Sequence, residues 1–351
     1  MALLLIILFV KANIFKNSLS GQLPILDFDN YYAVSNLIKD GVNPYLTGLM
    51  ASAGPPLVFL YFFPFSFLNI TVARFATTFI NIGAGFLACY LLAKKFFPKY
   101  KALSFLFFSL AFFSAFPTRF SIGMGQPDIL VALLIAIVIT QESQLLKAFC
   151  ISAMSVIKTI YLFCTIPFAR NRKFIKYFIL ATALFLAVSF LFLKPAWFPY
   201  YFRSIFPNLN NTPLPTSGLD YYNQSLKSTF YRIDLSNLYP FIFWPILAIA
   251  ALVVFLTQSF ELATITTLLL SPISWQHYYV SLFPIFIAAF AKMHKNPKNI
   301  LLFVMSILLW SVDFPWLHNA QVNLINGILA SHFFISGCIL YFLMYNASKN
   351  D

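Results

Sequence analysis

Apolar residues along this chain come in continuous runs, and polar residues are confined to the gaps between them. The runs cover 2–15, 72–93, 102–116, 128–141, 145–169, 174–193, 238–257, 260–271, 280–291, 299–312 and 325–345. Unbroken runs predict helices, whereas barrel strands would alternate apolar and polar side chains. One more apolar stretch begins at Pro55-Pro56 and ends near Asn69.

Three basic clusters mark the cytoplasmic side, because Lys and Arg set membrane topology. They are Lys94-Lys95-Phe96-Phe97-Pro98-Lys99-Tyr100-Lys101, Arg170 to Lys176, and Lys292 to Lys298. Strict alternation between them requires two adjustments. The 55–69 stretch must stay on the outer side, as a re-entrant or interfacial element. The 145–169 run must cross twice, as two short helices breaking near Lys158, which then faces outward. Each is ~13 residues or roughly 20 Å long, short for hydrocarbon of ~30 Å, so their tips are expected in protein or beside a wet cavity.

The predicted fold is therefore an all-α polytopic membrane protein of about 12 transmembrane helices with both ends inside. A single domain covers 1–351, with a first outer loop at 16–71 and a long outer loop at 194–237. Span one, 2–15, lacks the basic start and small-residue cleavage site of a signal peptide. Lys11 interrupts it, so either that ammonium snorkels or the true start lies upstream of Met1. The acidic residues check the topology independently. Asp27, Asp29, Asp40, Asp128, Asp220, Asp234 and Asp313 all fall outside, and only Glu142, Glu261 and Asp351 fall inside.

Composition agrees: 60% of residues are hydrophobic, 9% are charged, and mean hydropathy is +0.81. The net charge of +13 would suggest nucleic acid on a soluble protein, but here topology accounts for it, and no nucleic-acid partner is expected. The four cysteines, Cys89, Cys150, Cys164 and Cys338, lie in apolar runs without metal-ligand spacing and read as small buried hydrophobes. No nucleotide-binding loop or nucleophile elbow is present, which argues against a nucleotide-driven pump.

Candidate chemistry gathers on the outer side. Asp27 and Asp29 precede a short amphipathic helix that stops at Gly41; a carboxylate at the membrane edge suits a general base, and a helix cap is the plainer reading. Asp128 follows Gly125-Gln126-Pro127, a good helix start. Lys158 is a cation inside an apolar stretch, where charge is costly and usually functional. Asn223-Gln224-Ser225-Leu226 and Arg232 offer amides and a guanidinium to sugar hydroxyls or a phosphate. His277, in Ser274-Trp275-Gln276-His277, could donate to an anion.

In this order the segments resemble glycosyltransferase family 87, the polyprenyl-phosphate-mannose-dependent mannosyltransferases of the GT-C superfamily. The resembling pieces are Asp27-Phe28 with Tyr31-Tyr32, Gly41 with Asn43-Pro44-Tyr45, Gly54-Pro55-Pro56-Leu57, Gly125-Gln126, Lys158, Asn223-Gln224-Ser225-Leu226 with Arg232, and Ser271-Pro272-Ile273-Ser274-Trp275 with His277. The resemblance implies an inverting transfer of a hexose, mannose by analogy, from a polyprenyl-phosphate sugar to a lipid-linked or glycan acceptor. It makes Asp27 the base, with Asp29 as the alternative. It makes Lys158, Arg232 and His277 the donor-phosphate cations, and Tyr31, Tyr45, Gln126, Asp128, Asn223, Gln224 and Trp275 the substrate contacts. It implies no metal and no other cofactor.

Two other readings compete: a transporter or lipid flippase, and a glycan polymerase or ligase using lipid diphosphate. A transporter should carry polar groups at mid-membrane and work on both faces, whereas the polar residues here favour one face. A lipid-diphosphate enzyme should have Arg-rich outer loops, whereas 194–237 holds only Arg203 and Arg232. Low Gly with abundant Lys, Asn and Phe points to an AT-rich genome and a bacterial inner membrane, with the working site extracytoplasmic.

Overall fold

The computed structural model describes residues 26–48, 54–208, 221–293, 296–317 and 323–348. Span one, Asp220 and Asp351 lie outside the described residues. Among those described, regular structure is helical. There is no strand, only an isolated antiparallel bridge between Asn223 and Trp275. The chain is an all-α protein with several long apolar helices, as expected of a membrane protein.

By length and composition, two helical stretches can each cross a bilayer: Ile70–Phe96 and Ser236–Thr257. Two bent pairs, each broken by 64°, raise that to four: Pro98–Ser114 with Phe116–Met124, and Leu324–Ala330 with His332–Ser348. The other apolar helices are shorter, among them Asp128–Thr140, Gln144–Ile157 and Pro297–Ser311. The helices thus follow the apolar runs, but length alone does not give twelve crossings. The bends also differ from the simple spans expected. Residues 117–126, which lie in a gap between apolar runs, are largely helix, because Ala115 turns extended and Pro117 starts a new helix well.

The chain divides into two compact units. The first comprises Met1–Ala88, Arg119–Leu162 and Arg172–Thr212; the second comprises Cys89–Thr118, Phe163–Asn171 and Pro213–Asp351.

In the first unit, α1 (Leu26–Lys39) carries Asp27 and Asp29 in its first turn. It ends at Gly41, whose φ of +73° suits glycine. Gly41 N–H donates to Ile38 O and Val42 N–H to Leu37 O, closing the helix with paired reverse bonds. The helical stretch Pro56–Phe67 packs on α1. Phe28 and Tyr31 of α1 meet Phe62 and Phe65, and the Tyr31 ring stacks on Phe62 at 4.0 Å and 2°. Polar ties at the edge fix the register: Tyr32 Oη donates to Leu68 O and Lys39 Nζ to Ser66 O. Next come α2 (Ile70–Phe96), which runs on into the second unit, α3 (Lys101–Ser114) of that unit, and α4 (Phe116–Met124). The first unit continues with α5 (Asp128–Thr140), α6 (Gln144–Ile157) and α7 (Arg172–Ser189). The helix of the 145–169 run breaks where the sequence places it. Lys158 is extended at φ −143°, and a 3-10 stretch, Thr159–Phe168, follows.

In the second unit, α8 (Leu226–Arg232), α9 (Tyr239–Thr257), α10 (Phe260–Leu270), α11 (Phe283–Lys292), α12 (Pro297–Ser311), α13 (Leu324–Ala330) and α14 (His332–Ser348) follow in order. Small residues let these helices approach closely, as is usual between helices in lipid. Ser306 and Ser336 hydroxyls bond across α12 and α14. A Cβ on Gly337 would come within 2.8 Å of Leu269 Cδ2.

Candidate active site

The charged residues of the first unit converge through three local devices. The first is the turn that ends α4. Gly125 sits at φ +66°, Gly125 N–H donates to Ile122 O, and Gln126 N–H donates to Ser121 O. This turn presents the Gln126 side chain, whose Nε2 donates to Asp27 Oδ2 at 2.6 Å. Asn81, a buried residue of α2, steadies the turn by donating from Nδ2 to the Gln126 main-chain O at 3.0 Å. Asp27 Oδ1 has no hydrogen-bond partner among the described residues.

The second device is the pair of broken helix ends at α5 and α6. Asp128 is the first residue of α5 and is fully buried. Lys158 caps the C-terminus of α6, and its Nζ lies 2.5 Å from Asp128 Oδ1. Lys158 also feels the charge of Asp27. Burial pushes the Asp27 carboxyl above the usual aspartate range, while the Gln126 hydrogen bond and the Lys158 charge pull it back.

The third device holds α1 itself. Asp29 takes a two-pronged contact from Arg74 of α2, Nε to Oδ1 at 2.9 Å and Nη2 to Oδ2 at 2.5 Å. Such a fork fixes orientation as well as distance. Two residues apart on the same turn, Asp29 is bound to a cation and Asp27 to an amide. Tyr31 lies within the fields of Asp27 and Asp128. Tyr45 is buried elsewhere in the unit, its Oη donating to Gly54 O and its ring 5.4 Å from Tyr201.

Asn223, Gln224, Trp275 and Arg232 have a different arrangement in the second unit. Ser274 N–H donates to Asn223 Oδ1, Asn223 Nδ2 donates to Pro272 O, and Gln224 N–H donates to Ser274 O at 2.7 Å. Gln276 N–H returns a bond to Tyr222 O, closing a short clasp of paired backbone. Gln224 Nε2 donates to Tyr221 O and Ala330 O. The Arg232 guanidinium is fully buried and donates to Asn223 O at 2.6 Å, Ser331 Oγ at 3.0 Å and Thr229 Oγ1. The family resemblance assigns these amides and this guanidinium to sugar and phosphate; within the chain they also tie the clasp together from inside. His277 is buried beside it, its ring 4.8 Å from Tyr278 and parallel to Trp275. Trp275 is half-buried. Of the three cations expected at a donor phosphate, Lys158 belongs to the first unit, and Arg232 and His277 to the second.

A sequence model of glycosyltransferase family 87 matches residues 53–272. The chain belongs to glycosyltransferase family 87. Glycosyl transfer is thus its general activity. No curated protein matches it. The family 87 match takes in Gln126, Asp128, Lys158, Asn223, Gln224 and Arg232, but Asp27 and Asp29 precede it and Trp275 and His277 follow it. Asp27 joins the family-matched residues through its contact with Gln126, not through the matched stretch. Two members of the cluster escaped the sequence reading, Arg74 and Asn81. A signal for both exists: each is a strongly polar residue inside an apolar run, where such groups are costly.

Proposed function

We propose that this chain is an inverting glycosyltransferase that moves a hexose, mannose by the family resemblance, from a polyprenyl-phosphate sugar to a lipid-linked or glycan acceptor. The reaction takes place at the extracytoplasmic face of a bacterial inner membrane. Asp27 is the general base. It takes the proton of an acceptor hydroxyl as that oxygen bonds to the anomeric carbon. The bond from that carbon to the phosphate oxygen breaks, and the polyprenyl phosphate leaves with the electron pair. Attack from the face opposite the leaving group inverts the configuration. Lys158, oriented by Asp128, offsets the charge that develops on the departing phosphate, an electrostatic contribution that counts most in a buried site. Asp29 and Arg74 hold α1 so that Asp27 stays in register with Gln126.

The observation that carries this reading is the Gln126–Asp27 contact. It orients one carboxylate oxygen and leaves the other available in the same unit as the half-buried Lys158 and its buried partner Asp128. The test is transfer of label from polyprenyl-phosphate hexoses in membranes expressing the chain. Wild type should transfer, Asp29→Asn should retain part of the activity, and Asp27→Asn should fall by about 10²–10⁴-fold. Normal transfer by Asp27→Asn removes the proposed base.

A further inference from the structure

The helix α7 has two unlike faces. One packs on α6: the Ser152 and Thr182 hydroxyls meet at 2.8 Å, the Phe149 and Phe185 rings lie 5.3 Å apart, and Phe174 and Ala181 are buried. The other face carries a shallow open groove of about 400 Å³, lined by Arg172, Ile175, Lys176, Ile179 and Leu180. Arg172, Lys173 and Lys176 are exposed and have no carboxylate partner among the described residues. All the charge sits at one end. Beyond it the exposed face is apolar, with Ile179, Leu180, Leu184 and Val188. From Ile175 to Val188 it is roughly 20 Å long at ~1.5 Å per residue, enough to line one leaflet of a ~30 Å hydrocarbon layer.

We propose that this groove is a binding site for one anionic phospholipid of the surrounding bilayer. The headgroup phosphate sits between Arg172 and Lys176, and an acyl chain lies along Ile175, Ile179 and Leu180. Charge complementarity selects the occupant: two cations one helical turn apart match a phosphate, and the apolar rail below them matches its tail. A zwitterionic lipid would fill the rail but set its own cation against Arg172 and Lys176. A free phosphate would gain nothing from the rail. If the basic residues served topology alone, every lipid would be retained equally.

The test uses the purified full chain in detergent micelles, titrated by native mass spectrometry with phosphatidylglycerol or phosphatidylcholine of matched acyl chains. One phosphatidylglycerol per chain should be retained in preference. Arg172→Gln with Lys176→Gln should weaken that retention roughly fivefold per charge removed. Ile179→Ser, which leaves the charges in place, should weaken it too, and stands alone if the double variant does not fold. Lys94→Gln with Lys99→Gln removes two cations from another basic cluster and should leave retention unchanged. Equal retention of the two lipids overturns the proposal, as does an equal loss in the Lys94 and Lys99 variant.

Discussion

Each of the two units holds a polar network, and the networks are built from opposite materials. Around Asp27 the members are ionisable: two carboxylates, Asp27 and Asp128, the Lys158 ammonium, and the Asp29–Arg74 pair one turn away. Around Asn223 the members are amides and one guanidinium whose partners are largely main-chain carbonyls and N–H groups. A side chain that satisfies the backbone closes a fold. A carboxylate with one oxygen oriented and the other available can take a proton. Both motifs read as substrate contacts in the sequence, and their partners within the chain differ in kind.

The contrast predicts that activity and stability come apart between the two. The largest effect should follow Asp27→Asn. General-base catalysis contributes about 10²–10⁴-fold, so kcat for hexose transfer should drop by that much, with the melting temperature held. An unchanged kcat would dissolve the distinction between the units. Next, Asn223→Ala should do the reverse. It strands the buried Ser274 N–H at about 1–3 kcal/mol, and leaves Pro272 O with the Ser225 hydroxyl alone. Thermal unfolding should come several degrees earlier, while the fraction still folded keeps its KM. A raised KM at full stability would instead make Asn223 a substrate contact. Gly327→Ala strikes the same clasp from behind, because its Cβ would lie 2.5 Å from the Arg232 carbonyl oxygen.

Local features were legible in the sequence, and long-range pairings were not. The Gly41 stop, the helix start at Asp128 and the break at Lys158 each depend on a few neighbouring residues. The 64° bends after Ser114 and near Ser331 were not, because hydropathy does not register helix direction. Asp128 was singled out as a helix start and a substrate contact, and Lys158 as a phosphate cation. That they face each other is a tertiary fact joining residues 30 apart. Asp29 and Arg74 are 45 apart. The clasp between Asn223 and Trp275 shows the same limit, since nothing local says that two polar motifs will serve as each other's partners.

A smaller effect should follow from loosening α1. The Asp29–Arg74 pair is partly open to water, with side-chain exposures of 20% and 24%, so its stabilisation is screened to about 0–1 kcal/mol. Arg74→Gln should therefore lower kcat by less than about tenfold, and Arg74→Lys should restore part of it. A loss as deep as that of Asp27→Asn would make the pair part of the reaction rather than its support.

The smallest effect is a shift along the pH axis, and it separates Gln126 as a tuner of the base from Gln126 as mere packing. Asp27 acts as a base only when ionised. Its burial-raised pKa therefore sets an acid limb above that of an exposed aspartate, with activity lost as pH falls through it. The Gln126 amide favours the ionised form, so Gln126→Leu should move the limb to higher pH and leave the plateau nearly intact. Stability must move in the opposite sense. A carboxyl raised in the folded state holds its proton longer there than in the unfolded chain, so folding stability falls as pH rises between the two pKa values. In Gln126→Leu that fall should be steeper over the same interval in which transfer recovers. Parallel pH profiles for variant and wild type would leave Gln126 with packing alone.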